Sequence, residues 1–157
     1  MATLSDREII SLSRKGQLIA EEFRDESVTP NGYDLRAVAL RFDGKEMENG
    51  SVPAGKHFLV ATMEYLKLPE DVMGQIWVRS SYARRGVIGS FGAVDAGYQG
   101  TLTLSFFNSG TDELMINRGD RIAQIVFHRM ESLPEKSYSQ RSGNYQGSRG
   151  ITVKGSN

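Results

Sequence analysis

The chain has 157 residues, and its 19 basic and 19 acidic side chains give a formal charge of zero at neutral pH. A chain of this length buries roughly two thirds of its unfolded surface, so one domain over residues 1–157 is expected to fold on its own core. Balanced charge argues against nonspecific binding to a nucleic-acid polymer. The lack of cysteine excludes disulfides, thiolate zinc sites and a cysteine nucleophile, and two histidines do not favour a histidine-rich metal site.

Hydropathy along the chain indicates its compartment. The first ten residues, MATLSDREII, contain no apolar stretch of signal length, and no run of about eighteen uncharged apolar residues follows. We therefore expect a cytoplasmic protein with no membrane contact.

The first predicted element is a short helix in LSDREIISLSRKGQL. Ser5 can cap its start, and Glu8 stands three residues later and completes a capping box. Ile9 and Leu12 supply a short apolar face, and Gly16 ends the segment.

From Tyr33 onward, short apolar or alternating runs of strand length are separated by turns rich in Gly, Asn and Asp. No helical period lies between them, so the pattern predicts a mostly β chain, an antiparallel sandwich or jelly roll. The runs are YDLRAVALRF, HFLVATMEYLKL, GQIWVR, GVIGSFGAV, GTLTLSFFNSG and ELMINRGDRIAQIVFHRM.

Two polar clusters stand at predicted strand ends in the first half of the chain. In PNGYDLR, Asp34 and Arg36 share one strand face, which suits either a structural salt bridge or a functional site. RSSYARRG follows the apolar GQIWV. An arginine there can bind two phosphate oxygens while serine hydroxyls and loop amides fill the remaining acceptors. The alternatives are a solvated polar turn and, for Arg84 and Arg85, an exposed surface pair.

Two further clusters follow in the second half. In GAVDAGYQG, Asp95 can accept a proton from water, Gly97 allows a flat ring to approach the backbone, and Tyr98 can pack against that ring. Ordinary turn chemistry is the alternative. In RGDRIAQIVF, Gln124 shares its strand face with two aliphatic residues, so its amide needs a partner other than bulk water.

The composition changes over residues 134–157, which are rich in Gly, Ser, Lys, Arg and Gln and poor in aliphatics. Such a tail cannot order itself by burial, so it is either disordered or fixed by a ligand or a neighbouring subunit. Tyr145 and Arg149 favour the second alternative, because an aromatic ring and a cation among glycines can close over a bound group.

Taken together and in this order, these segments resemble the motifs of the superfamily that contains dUTP pyrophosphatases and metal-free dCTP deaminases. The resemblance covers nearly the whole chain, from LSDREI to YQGSRGITV. It implies a distorted β jelly roll, a homotrimer with sites between subunits, and a deoxynucleoside triphosphate bound with Mg²⁺.

The choice between the two branches rests on Ser105. The opening helix, PNGYDLR and YQGSRG look more like dCTP deaminases, which carry a Glu where GTLTLSFFNSG has Ser105. A hydroxyl cannot replace that proton carrier, and the loss of a general acid or base costs ~10²–10⁴-fold in rate. Zinc deaminases need cysteine ligands, which this chain lacks. Pyrophosphatases resemble LSFFN here, so we predict hydrolysis of dUTP to dUMP and pyrophosphate, which removes dUTP from the nucleotide pool and supplies dUMP.

The resemblance also implies roles for individual residues. Asp95 orients or deprotonates the attacking water, and the base pairs with backbone groups between about Gly89 and Val94. Mg²⁺ binds through the substrate phosphates, with Asp34 linked to it through water or serving as a structural partner of an arginine. The implied substrate-binding residues are Arg79, Ser80 and Ser81 at the α and β phosphates, Gln124 at a phosphate, Tyr98 under deoxyribose, and Tyr145 and Arg149 from a neighbouring subunit's tail, with Arg149 at the γ phosphate.

Two other functions stay open at this stage. One is a dCTP deaminase, alone or combined with dUTP hydrolysis, in which another carboxylate replaces the missing Glu. The other is a noncatalytic trimer that binds deoxynucleotides and regulates a partner.

Overall fold

The computed structural model describes residues 1–89 and 92–155. Its helices are α1 (Asp6–Arg14), α2 (Ser80–Ala83) and α3 (Tyr138–Arg141), and a 3₁₀ turn covers Asp25–Ser27. The strands are β1 (Ala2–Thr3), β2 (Leu18–Glu21), β3 (Val28–Thr29), β4 (Gly32–Phe42), β5 (Lys45–Met47), β6 (Gly50–Val52), β7 (Lys56–Thr62), β8 (Tyr65–Lys67), β9 (Val72–Val78), β10 (Val87–Gly89), β11 (Ala93–Val94), β12 (Gln99–Gly100), β13 (Thr103–Asn108), β14 (Leu114–Ile116) and β15 (Arg121–Arg129).

The strands pair antiparallel in one large curled sheet and two small ones. The large sheet has the order β10-β13-β7-β4-β15-β9-β11, with β1 added to β15 and with β3 and β5 added to β4. The small sheets are β12-β8-β2 and β14-β6. Neighbours distant in sequence, such as β4 and β15, lie side by side, as the return connections of a jelly roll require.

The core lies between the curled halves of the large sheet. Side chains alternate along the strands, so long strands such as β7 and β9 bury one face. Full burial of an aliphatic or aromatic side chain contributes about 1.5–3 kcal/mol. The fully buried members include Tyr33, Leu35 and Leu40 on β4, Phe58 and Val60 on β7, and Ile125 and Phe127 on β15.

The predicted N-terminal helix is confirmed. The Ser5 backbone N–H donates to Glu8 Oε2 at 3.1 Å, as part of the capping box. Ile9 is fully buried and fixes the helix to the sheet. The chain leaves the helix through Gly16, whose φ of +73° lies in the left-handed region that favours glycine.

Strands β9 and β11 hold the two predicted halves of the site. Val94 on β11 pairs with Gly74 near the start of β9, and Arg79 follows the end of β9. A Cβ atom at Gly74 would lie 2.7 Å from Ile125 Cδ1, so any larger residue there would have to displace the end of that side chain. None of the helices in the two described ranges has the length and apolar content that a bilayer crossing requires.

Candidate functional site

A cavity of about 380 Å³ opens beside the turn that carries Asp95. Asp95 is exposed there, and within the described part of the chain its carboxylate has no hydrogen-bond or ion-pair partner. A carboxylate left without a partner is free to accept a proton. The body of the chain contributes Ala93, Val94, Asp95, Tyr98, Thr101, Leu102 and Thr103 to the wall, and the tail contributes Tyr138, Tyr145, Ser148 and Thr152.

The turn after Asp95 is fixed by local hydrogen bonds. The Tyr98 N–H donates to the Asp95 carbonyl at 3.1 Å, and the Gly97 N–H donates to the Pro69 carbonyl at 3.1 Å. Gly97 has a φ of +81°, so a residue with a side chain would be strained there. The turn therefore presents Asp95 at a fixed place on the cavity rim.

Tyr98 forms a rigid part of the wall. Its ring is 5% exposed and meets Tyr138 edge to face at 5.7 Å between centroids. Its hydroxyl donates to the Thr101 carbonyl at 2.7 Å. Burial is the main reason that the pKa of Tyr98 rises to about 12, so the phenol stays neutral. The predicted contact with deoxyribose needs such a fixed, uncharged ring.

The C-terminal segment covers the cavity of its own chain. Gln146 Oε1 accepts from the Gln99 N–H at 3.0 Å, and the Thr101 N–H donates to the Ser148 carbonyl at 2.8 Å. These contacts place Tyr145 and Ser148 in the wall. Arg149 is not part of the wall. Closure over a neighbouring subunit and contact of Arg149 with a γ phosphate stay predictions.

A second group of predicted residues surrounds the buried carboxylate of Asp34. Arg79 Nε lies 3.0 Å from Asp34 Oδ2, and Arg121 Nη1 lies 3.8 Å from the same oxygen. Arg79 Nη1 also donates to the Arg121 carbonyl at 3.1 Å. Burial raises the pKa of Asp34, and the two guanidinium groups partly oppose that rise. This arrangement supports the structural alternative for Asp34, which holds Arg79 in place.

The side-chain amide of Gln124 has the protein hydrogen-bond partner that the sequence predicted. Its Nε2 donates to Thr29 Oγ1 at 2.9 Å, and it stands opposite Asp34 on the neighbouring strand. It therefore belongs to the same end of the sheet as Arg79.

The RSSYARRG segment forms the wall of a separate cavity of about 260 Å³. Arg79 precedes the single turn of α2, which contains the exposed Ser80 and Ser81. The sequence analysis did not identify Arg121 as a member of this cluster and treated Arg85 as a surface residue. Of the predicted residues in the segment, Ser80 and Arg84 do not line this cavity. The wall consists of Arg79, Ser81, Tyr82, Arg85, Asp120 and Arg121, so three cations meet at one cavity suited to an anion.

The two groups lie at opposite ends of β9. Val94 pairs with Gly74, and the step from Gly74 to Arg79 spans about 17 Å of extended chain. The structure thus brings Asp95, Tyr98 and Tyr145 together, and separately Asp34, Arg79, Ser81 and Gln124. One chain does not bring the two groups into contact.

Ser105 lies on the strand face that also carries Thr103, a residue of the Asp95 cavity. Its Oγ is 2.8 Å from His57 Nε2, and its cross-strand neighbour is Leu59. These neighbours include no carboxylate. The predicted base-binding hairpin between Gly89 and Val94 contains residues 90 and 91, which lie outside the described residues.

Glu64 is a buried acid that sequence reasoning missed. It is 0% exposed and accepts hydrogen bonds from the Arg36 N–H at 2.9 Å and from Arg36 Nε at 2.8 Å. The salt bridge considered for Asp34 and Arg36 is therefore corrected, because each pairs with a different residue. The signal in the sequence was a lone acid inside the apolar run HFLVATMEYLKL. Burial raises the pKa of Glu64.

The described ranges contain no group of three or more His, Cys, Asp or Glu side chains that could hold a metal ion. The Asp34 carboxylate forms ion pairs with Arg79 and Arg121. These contacts favour its structural role over the predicted link to Mg²⁺ through a water molecule. Binding of Mg²⁺ through substrate phosphates stays a prediction.

Residues 45–130 match a family model described as dCTP deaminase-like. A dCTP deaminase from Thermococcus gammatolerans is 42% identical over 143 residues, which cover 87% of this chain and 89% of that protein. The chain belongs to the dCTP deaminase-like family.

Solved structures of the same superfamily share the fold of this family member. The dCTP deaminase from Agrobacterium tumefaciens superposes with a TM-score of 0.71 at 23% identity, over 81% of this chain and 48% of that chain, so this chain spans about half of its length. The dUTPase of Staphylococcus bacteriophage 80alpha, solved with dUpNHpp, has a TM-score of 0.54 at 19% identity, over 68% of this chain and 84% of that chain. The predicted superfamily and the dUTPase-like jelly roll are confirmed. The chain is an enzyme of this superfamily.

Proposed function

We propose that this enzyme hydrolyses dUTP to dUMP and pyrophosphate. The observation that carries the proposal is the contrast between Asp95 and Ser105. Asp95 is an exposed carboxylate at a cavity of about 380 Å³, and none of the residues that the structure describes forms a hydrogen bond or ion pair with it. At position 105, where the resemblance places the proton carrier of a deaminase, stands a hydroxyl next to an imidazole.

The chemistry of hydrolysis suits these side chains. Water attacks the α phosphorus, Asp95 takes its proton, and the bond from the α phosphorus to the bridging oxygen breaks with its electron pair leaving on pyrophosphate. Arg79, Arg85 and Arg121 can offset the charge of the phosphates. Mg²⁺ bound to the phosphate oxygens would add further positive charge. The fixed ring of Tyr98 would collide with a 2′-hydroxyl, which favours deoxynucleotides.

The separation along β9 supports a site shared between copies. A gap of about 17 Å between the Asp95 end and the Arg79 end is too long for one water to act on a phosphate held by Arg79. A second copy that places its arginine cluster against the Asp95 cavity would complete the site. A closed homotrimer gives every copy the same such contact.

A second candidate is dCTP deaminase, alone or together with dUTP hydrolysis. It is favoured by the name of the Thermococcus gammatolerans relative, which is 42% identical to this chain. This reaction would need a group that carries protons between water and the exocyclic amine. The titratable group that touches Ser105 is His57, 2.8 Å from the hydroxyl.

Product analysis separates the two functions. The full chain is incubated with Mg²⁺ and either dUTP or dCTP, and nucleotides, pyrophosphate and ammonia are quantified. We expect dUMP and pyrophosphate in equal amounts from dUTP, and no ammonia from dCTP. Ammonia from dCTP without pyrophosphate from dUTP would overturn the proposal, and so would tight binding of both nucleotides without turnover.

A pair of substitutions at Ser105 sharpens the result. Ser105→Ala removes the hydroxyl and should leave dUTP hydrolysis within about threefold, because hydrolysis does not use this position as a proton carrier. If the enzyme is instead a deaminase that relies on the Ser105 and His57 pair, both Ser105→Ala and His57→Ala should abolish release of ammonia.

A further inference from the structure

Arg149 in the tail binds to two residues of the body of the chain, Glu21 and Tyr65, which together are called the seat. Its Nη1 donates to Glu21 Oε2 at 3.0 Å and its Nη2 donates to Glu21 Oε1 at 2.7 Å, so the pair is bidentate. The guanidinium carbon also lies 4.3 Å from the centroid of the Tyr65 ring. A bidentate ion pair and a cation–π contact thus act on one side chain.

The two seat residues face each other across paired strands. Glu21 on β2 is the register partner of Tyr65 on β8. Their chain neighbours Glu22 and Glu64 both bind Arg36, with Arg36 Nε 2.8 Å from Glu64 Oε1 and Arg36 Nη2 3.8 Å from Glu22 Oε2. The two residues that bind Arg149 are therefore direct chain neighbours of residues that bind Arg36.

The position of Arg149 controls the residues just before it. Ser148 and Tyr145 line the Asp95 cavity, and Ser148 forms an isolated bridge with Gly100. Arg149 directly follows Ser148, so the ion pair with Glu21 favours the position of Ser148 in the wall. The cation of Arg149 is thereby directed to Glu21 and not into the cavity.

We propose that Glu21 and Tyr65 are positioning residues, which hold Arg149 so that the tail closes over the cavity of its own chain. The docking of the tail does not depend on the reaction, whereas the effect on turnover rests on the proposed function. The closed tail places Tyr145 and Ser148 beside Asp95 and limits the access of water to the cavity.

The exposure of the pair sets the size of the effect. The side chains of Arg149 and Glu21 are 60% and 50% exposed, so the ion pair alone contributes little and weakens with salt. The second carboxylate contact and the ring add to it, and together they favour the closed tail by about fivefold.

The test is a charge swap read by amide hydrogen exchange in the absence of nucleotide. The amides of Thr101, Gly147 and Thr152 report docking, because they donate to Ser148 O at 2.8 Å, to Gln99 O at 2.7 Å and to Thr103 Oγ1 at 2.8 Å. Glu21→Arg and Arg149→Glu alone should each raise the exchange rates about fivefold. The double variant should restore them.

A matched control is the exposed pair of Arg14 and Asp25, at 3.4 Å. Asp25→Arg should leave exchange of the three amides unchanged. Unchanged exchange in both single variants, or no recovery in the double variant, would overturn the proposal. These results do not involve a substrate, so they stand even if dUTP proves not to be the substrate.

Steady-state kinetics with the nucleotide that the enzyme turns over adds a second readout. If Arg149 acts by binding Glu21 and Tyr65, KM rises in each single variant and returns to within about twofold of wild type in the double variant. A KM that stays high in the double variant, while exchange recovers, means that Arg149 binds a phosphate instead and contradicts the positioning role.

Discussion

The Asp95 cavity and the buried ion pairs beside it use the same chemical group in opposite ways. Asp34 and Glu64 are buried carboxylates held by arginines at 3.0 and 2.8 Å. Asp95 is exposed at a cavity and has no partner in the described ranges. Paired acids stabilise the fold and position other side chains, whereas the unpaired acid is available to react. Substitutions in the two regions should therefore affect different quantities.

The largest expected effect is on Asp95. Asp95→Asn removes the proton acceptor and should lower kcat for dUTP hydrolysis by ~10²–10⁴-fold. The free energy of unfolding should change by less than about 0.5 kcal/mol, because the exposed carboxylate has no partner to lose among residues 1–89 and 92–155. Pyrophosphate release and urea unfolding check the two parts. Equal rates in variant and wild type would remove Asp95 from the mechanism.

Glu64→Gln should show the reverse pattern. It removes the charge of the buried partner of Arg36, leaves that guanidinium, 12% exposed, with the longer 3.8 Å contact to Glu22, and should lower the free energy of unfolding by about 3 kcal/mol. Turnover of the folded fraction should stay close to wild type, because Glu64 does not line the Asp95 cavity. Urea titration followed by tryptophan fluorescence measures the loss. A loss in kcat at full stability would contradict the distinction between the two regions.

Tyr98→Phe probes the rim of the cavity with a smaller change. The variant loses the hydrogen bond to the Thr101 carbonyl, 2.7 Å long, and should lose about 1 kcal/mol of stability. The ring remains, so the preference for dUTP over UTP should persist. Tyr33→Phe is the matched control. The Tyr33 hydroxyl accepts a hydrogen bond from the Arg24 N–H at 3.0 Å, and Tyr33 does not line the Asp95 cavity. A loss of selectivity in Tyr98→Phe alone would show that the hydroxyl, and not the ring, excludes ribose.

The smallest effect is a pH dependence of stability. Burial raises the pKa of Glu64 above its ordinary value of 4.5, so the folded chain keeps a proton that the unfolded chain has lost. This contribution is fully present below about pH 4.5 and is lost as the pH rises through the raised value. Glu64→Gln should make the free energy of unfolding fall less steeply with pH in that window. An identical slope in both proteins would show that Glu64 does not titrate there.

Much of the fold followed from local patterns in the sequence. Ser5 and Glu8 predicted the first helix, and the alternation of apolar residues predicted a mostly β chain. Asp95 and Tyr98 stood out because they belong to one short turn. The partners of Asp34, Gln124 and Arg149 could not be predicted, because each lies on a strand or segment distant in sequence. Composition also could not show that the tail docks through backbone hydrogen bonds.

That hydrolysis occurs at a site shared by two copies is tested most directly by subunit complementation. Asp95→Asn and Arg79→Gln chains, each inactive alone, are coexpressed with different tags and purified as mixed assemblies. In a mixed trimer of two chains of one kind and one of the other, one of the three shared sites combines an intact Asp95 with an intact Arg79, so about a third of wild-type pyrophosphate release should return. Mixed assemblies that form but stay as inactive as the separate variants would contradict a shared site.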